Sequence, residues 1–171
     1  MMQTKEHEPC RRVAIAGVLV TWIVCAACDD TVVGPIAGEP VYEMLTASVD
    51  TGVVIVKGVA RNPGTQTIRY DLLAPCTATL RMYSADGGVA TWDQLDWHNT
   101  QPGGCKRRAY SRTLAAGESI VVGASAEVDD ILGDSLPEAA YAAALVIWRS
   151  APTPGPLELQ AGQVTLQRSA P

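Results

Sequence analysis

Phenylalanine is absent from this chain, and aromatic residues make up only 5% of it. A hydrophobic core must therefore rest on Val, Leu and Ile, with Tyr and Trp at a few positions. Histidine occurs twice, as His7 and His98. Cysteine pairs without nearby histidines do not complete a tetrahedral metal shell, so zinc chemistry is not expected. Walker loops, dinucleotide fingerprints and EF-hands are missing, and no serine sits in a Gly-x-Ser-x-Gly elbow. There is no basic stripe either. Residues 28–171 hold ten Lys/Arg against sixteen Asp/Glu, a formal charge of −6. Such a surface repels phosphate backbones, which argues against nucleic-acid binding. Long apolar runs are lacking as well. The longest, residues 13–27, falls short of the roughly 20 residues that a membrane-spanning helix needs.

What is present begins with that apolar run. It follows Arg11 and Arg12 and ends in small residues, the pattern of an export signal. Its end reads Cys25-Ala26-Ala27-Cys28. The small residues before a cysteine resemble the bacterial lipobox, with Cys25 standing where leucine is usual. The resemblance implies a thioether-linked diacylglycerol on Cys28, cleavage just before it and acylation of the new amino end. Several chains matter, because each buried CH₂ contributes about 0.8 kcal/mol and one chain alone holds only marginally. An ordinary secretory peptide cut elsewhere, or an uncleaved short anchor, is the alternative.

Cysteine arithmetic agrees with the anchor. Loss of Cys10 and Cys25 with the leader leaves Cys28, Cys76 and Cys105, and an odd cysteine in an exported protein needs a use. With Cys28 lipidated, Cys76 and Cys105 are expected to bridge in an oxidising compartment, two reduced buried thiols being the other possibility. Closing a loop of that size stabilises a fold by roughly 3–4 kcal/mol on the chain-entropy model.

The expected organisation is a signal peptide over residues 1–27, a membrane tether over 28–40 and one domain over 41–168. Within the domain, apolar runs alternate with turn clusters. Residues 41–49 and 53–61 read as strands, the second with Val54, Val56, Gly58 and Ala60 inward. Asn62-Pro63-Gly64-Thr65 is a turn. Residues 66–73 follow, with Ile68, Tyr70 and Leu72 on one face. Residues 76–83 alternate with period two, the mark of a half-buried strand. Residues 89–93 form a short strand, 94–108 an irregular loop, and 112–114 the next strand. In 119–128, Ile120, Val122, Ala124, Ala126 and Val128 share a face. Residues 129–137 form a loop with room for one helical turn. Residues 141–148, alanine-rich but ending Val146-Ile147-Trp148, read as a strand rather than a helix. A final strand pair, 157–160 and 163–167, is separated by a bulge or kink at Ala161-Gly162. Eight or nine strands without amphipathic helices predict an all-β, antiparallel sandwich.

Several of these segments resemble the BsuPI family of intracellular proteinase inhibitors. They are Val59-Ala60-Arg61-Asn62-Pro63, then residues 70–73, then Leu80-Arg81-Met82-Tyr83 before Asp86-Gly87-Gly88 and Trp92. Leu114-Ala115-Ala116-Gly117-Glu118-Ser119 and a late strand around Tyr141 continue the pattern. The resemblance implies an immunoglobulin-like β-sandwich, with protease inhibition as one activity. The export signal, the cysteine pair and the long 94–108 loop depart from that family.

Catalysis finds little support in the residues. Asp93, Asp96 and His98 lie close together in sequence, but as the rim of a loop anchored by Trp92 and Trp97 they need no catalytic role. Neither an enzyme nor a cofactor is expected. Binding suits the build better, because a rigid sandwich displays loops and tryptophan and arginine concentrate interface energy. Trp92, Trp97, His98, Arg107 and Arg108 are the candidate binding residues. The expected function is a lipid-anchored binding or envelope-associated module on a bacterial cell membrane, with a BsuPI-type inhibitor as the alternative. Its partners would be the membrane, through Cys28, and an envelope protein or a protease.

Overall fold

Runs that alternate apolar and polar residues put one face of each strand into a shared core, and the computed structural model is built from them. Its described residues are 36–85 and 88–168. The leader, Cys28 and most of the expected tether lie outside these. In order the elements are β1 (Ile36–Ala37), β2 (Val41–Asp50), β3 (Val53–Arg61), β4 (Ile68–Ala74), β5 (Ala78–Ser84), β6 (Ala90–Asp93), α1 (Gln94–Thr100), β7 (Arg108–Leu114), β8 (Ser119–Glu127), α2 (Val128–Leu132), β9 (Ala140–Ala151) and β10 (Gly155–Thr165). The protein is an all-β sandwich of a seven-stranded and a three-stranded sheet. Among the described residues, no helix is long and apolar enough to cross a membrane.

The smaller sheet has the order β2-β3-β8, antiparallel throughout. Val54, Val56, Gly58 and Ala60 of β3 are buried, as their alternation predicts. Gly58 has a packing reason. A Cβ there would sit 3.0 Å from the Leu45 side chain and 3.1 Å from the Glu43 carbonyl, where β2 bulges.

The larger sheet is organised on β9. One side of β9 pairs with β10, from Ala140↔Thr165 to Arg149↔Gly155. Its other side pairs with β5, from Tyr141↔Ser84 to Ile147↔Ala78. Past Ile147 that side is taken over by β4, through Leu72↔Arg149 and Asp71↔Ala151. β4 and β5 thus run one after the other along the same partner, with residues 75–77 as the break between them. β7 pairs with the other edge of β4, β6 with β5, and the short β1 runs parallel to β4 at Ile68.

Alanine-rich β9 is a strand because both of its faces are covered. Leu145 and Ile147 enter the inter-sheet core with Val54, Val56, Leu72, Leu80, Met82 and Leu166. On the opposite face, Ala144 and Val146 are also fully buried. Arg81 stands opposite Ala144 and reaches Asp93 on β6 at 2.6 Å and Glu158 on β10 at 2.6 Å. Tyr83 donates to the same Glu158. These long side chains lie across the small residues of β9 and keep water off them. Burial opposes the Arg81 charge, but its hydrogen bonds to Asp93, Tyr83 and Glu158 more than offset this and raise its pKa above the usual arginine range.

Several details differ from expectation. Ten strands are present among the described residues, against eight or nine. Ile36 and Ala37, expected in the tether, belong to the sheet. The expected final pair is one strand, β10, in which the register shift at Gln160/Gly162 is the bulge. The first half of the expected 94–108 loop is helical, and β7 begins four residues before residue 112.

The predicted turn at Asn62 does more than reverse the chain. Asn62 is 1% exposed and its Nδ2 donates to the carbonyls of Gln66 (2.8 Å), Leu114 (3.0 Å) and Ala115 (3.0 Å). Its Oδ1 accepts from the Gly64 amide. Its own backbone pairs with Glu118 and Gly117. The side chain thereby joins the end of β3 to the end of β7, one in each sheet. Asn62→Ala removes these donors from the Gln66, Leu114 and Ala115 carbonyls at a buried position. It is expected to lower unfolding free energy by about 2–4 kcal/mol, read as a reduced urea midpoint at unchanged slope.

Candidate functional site

The candidate residues lie on β6, α1 and the segment that leads into β7. A helix starts at Gln94 because Asp93 caps it: Asp93 Oδ1 accepts from the Leu95 amide at 2.8 Å, while Oδ2 accepts from Arg81. Gln94 itself points inward and is 7% exposed. Its Oε1 accepts from the Leu80 amide of β5 at 2.9 Å, and its Nε2 donates to the Ser125 carbonyl of β8 at 2.7 Å. One amide side chain therefore joins the two sheets and fixes the base of α1. The C-terminal end is held as well. Gln101 donates to the His98 carbonyl, and Cys105 donates to Asn99 Oδ1 at 3.4 Å. Cys105 is bonded to Cys76, across a Cα–Cα distance of 6.0 Å, which ties this rim to the break between β4 and β5.

The structure brings three of the five expected binding residues together. The Trp92 and Trp97 rings are 6.5 Å apart and tilted by 42°, and His98 meets Trp97 at 5.1 Å in an edge-on contact. All three are half-buried. Beside the tryptophans is an open depression of about 590 Å³, lined by Arg81, Val89, Trp92, Asp93, Asp96 and Trp97. Arg107 goes elsewhere. Its guanidinium stacks 4.4 Å over the ring of Trp148, whose Nε1 donates to the buried Thr79 hydroxyl. Arg108 opens β7 opposite Ala74. Among the described residues, no group of three His, Cys, Asp or Glu side chains could hold a metal ion.

A second concavity was not anticipated. Between β7 and β8 runs a groove of about 360 Å³, lined by Tyr42, Tyr70, Leu72, Tyr110, Arg112 and Val122 among others. Burial raises the pKa of both the Tyr42 and Tyr70 phenols above the usual value near 10, with a smaller contribution from Tyr70 to Tyr42. Part of its signal is local: Arg108, Tyr110 and Arg112 alternate with small residues, which on a strand places all three on one face, while the groove itself depends on the register of β7 on β4. On the other face, the Ser111 hydroxyl donates to Asp71 and accepts from Arg69.

No protein-family model matches this chain, and no curated protein sequence matches it. Solved structures give likenesses of low score. The β-glucosidase 3B of Thermotoga neapolitana, in complex with α-D-glucose, aligns with a TM-score of 0.37 at 14% identity, over 72% of this chain and 16% of its own. The β-glucosidase of Kluyveromyces marxianus in complex with glucose gives 0.35 at 12%, over 74% and 15%. Catalytically inactive OgpA of Akkermansia muciniphila, bound to an O-glycopeptide substrate, gives 0.37 at 14%, over 78% and 32%. The chain spans less than a third of each of these larger proteins, and no activity is carried over from them.

The Gln94 bridge yields a direct expectation. Gln94→Leu keeps the volume but leaves the Leu80 amide and the Ser125 carbonyl without their partner. Unfolding free energy should fall by about 2–3 kcal/mol, measured by urea titration. Trp97 fluorescence should shift to the red as α1 loosens.

Proposed function

We propose that this protein is an exported, non-catalytic binding module. Lipid on Cys28 anchors it to a bacterial cell membrane, and the α1 rim presents its recognition surface to an envelope protein. The observation that carries the reading is the way the rim is fixed. Asp93 caps α1, Gln94 hydrogen bonds both sheets beneath it, and the Cys76–Cys105 bond closes its far side. A surface held at three points loses little entropy when it binds, and it displays Trp97 and His98 without needing to reorder. Arg107, stacked on Trp148, is likewise pre-positioned.

The disulfide supports export, since such bonds form and persist in oxidising compartments. The Cys25-Ala26-Ala27-Cys28 sequence supports the anchor. An anchor also supports a binding role, because restriction to a membrane surface raises the effective concentration of any neighbour in the same plane.

Two measurements test the reading. Labelled palmitate should enter the wild-type chain and not Cys28→Ser, whose precursor should remain uncleaved. Crosslinking in native membranes, followed by mass spectrometry, should then identify partners whose recovery falls at least about fivefold in Trp97→Ala, as expected for an interface anchor. An unchanged partner set would remove the rim from the proposal. Absence of label would remove the anchor.

A further inference from the structure

Among the described residues, the strand β7 has one unpaired edge, an arginine-bearing face over the groove and no acid of its own. We propose that this edge is a docking site for an extended acidic segment of a partner protein, which adds to it as an antiparallel strand. The proposal rests on the binding-module reading and adds a second site, with the chemistry of its ligand.

The edge comes first. Among the described residues, β7 pairs with β4 alone. Every residue from Arg108 to Thr113 is exposed, and only Leu114 is buried. An unpaired edge displays a row of backbone donors and acceptors, the template for strand addition. β8, the neighbouring edge of the other sheet, is less available. Its Ser125 carbonyl already accepts from Gln94, so the helix base blocks its second half.

The side chains select the ligand. Arg108, Tyr110 and Arg112 stand opposite Ala74, Leu72 and Tyr70, which puts them on the face that overhangs the groove. The Arg112 guanidinium lies 5.8 Å from the Tyr110 ring centre. Of the ten cations in residues 28–171, Arg61, Arg69, Arg81, Arg149 and Arg168 each pair with a carboxylate. Four of the other five are Lys106, Arg107, Arg108 and Arg112, and none of these has an acidic partner among the described residues. Residues 97–117 contain no Asp or Glu at all. An otherwise acidic domain thus places two of its five unpaired cations, Arg108 and Arg112, on one open strand, with Lys106 and Arg107 just before it.

That charge also decides between occupants. A second copy adding through its own β7 would set arginines opposite arginines, and like charges directly across a strand pair are destabilising. An acidic strand instead meets Arg108 and Arg112 as opposite-charge pairs. One residue separates each arginine from Tyr110, so the fitting pattern is acid-x-apolar-x-acid. The central apolar residue would then cover Tyr110 and the groove floor at Tyr70 and Leu72.

The probe is the peptide acetyl-Thr-Glu-Thr-Val-Thr-Glu-Thr-amide, whose sequence reads the same in both directions, titrated into the full chain in detergent. Binding should weaken roughly tenfold or more between low and high salt. Arg108→Glu with Arg112→Glu should abolish it and create binding to the same peptide with Lys in place of Glu. Backbone methylation gives the signature that charge attraction alone lacks. Methylating alternate amides in one phase should abolish binding, and in the other phase should leave it intact, because only one edge of an added strand faces β7. No binding, equal binding by both methylated forms, or no effect of the arginine reversal would each overturn the proposal. Loss of crosslinked partners in the rim variant, with no peptide binding, would sink the strand site and leave the module reading standing. Failure of both would remove the two together.

Discussion

Two buried amide side chains set the geometry from which everything else follows. Asn62 joins the sheets near the start of β8, and Gln94 joins them near its end. Each places polar groups where water cannot reach, and a buried amide left unpaired costs more than a formed hydrogen bond returns. Their partners are therefore fixed to within hydrogen-bond distance. For Asn62 this sets the crossing from β7 to β8. For Gln94 it sets the position of a seven-residue helix too short to be stable by itself. The base of the aromatic rim owes its place to that side chain, while the Asp93 cap and the Cys76–Cys105 bond hold its two ends.

The absence of phenylalanine has a visible consequence in the core. Aliphatic residues and a few tyrosines fill the space between the sheets, and small residues on β9 let the structure close on its outer face as well. Arg81 can lie over Ala144 because nothing larger stands there. The Arg81 network that bridges Asp93 and Glu158 then serves two purposes. It shields β9 from water, and through Asp93 it steadies the cap of α1.

How far the sequence revealed this depends on the range of the interactions involved. Period-two alternation is local, so β3 and β8 can be read almost to the residue, and β4 and β5 to within two residues. The inward face of β3 was read correctly down to Gly58. β9 was recognised as a strand from its end, Val146-Ile147-Trp148, although its alanines alone would equally suit a helix. The disulfide followed from counting. What escaped was whatever depends on distant partners. α1 has polar residues on most of its surface and no apolar stripe, and its only local signal is the Asp93 cap. Its real determinant is Gln94, whose partners are 14 and 31 residues away. Likewise, the sequence puts Arg107 in one loop with Trp97, yet the fold gives it to Trp148. The groove beneath β7 needed the register of β7 on β4, which no single segment contains.

Taken together, the sandwich bridges one of its two neighbouring edges from within and leaves the other unpaired and positively charged. Native-state amide hydrogen exchange on the full chain measures that asymmetry most directly. The Leu80 amide, bonded to Gln94, should exchange only through global unfolding, while alternate amides along β7 exchange orders of magnitude faster. Rapid exchange at Leu80, or uniform protection along β7 in the monomer, would contradict the account.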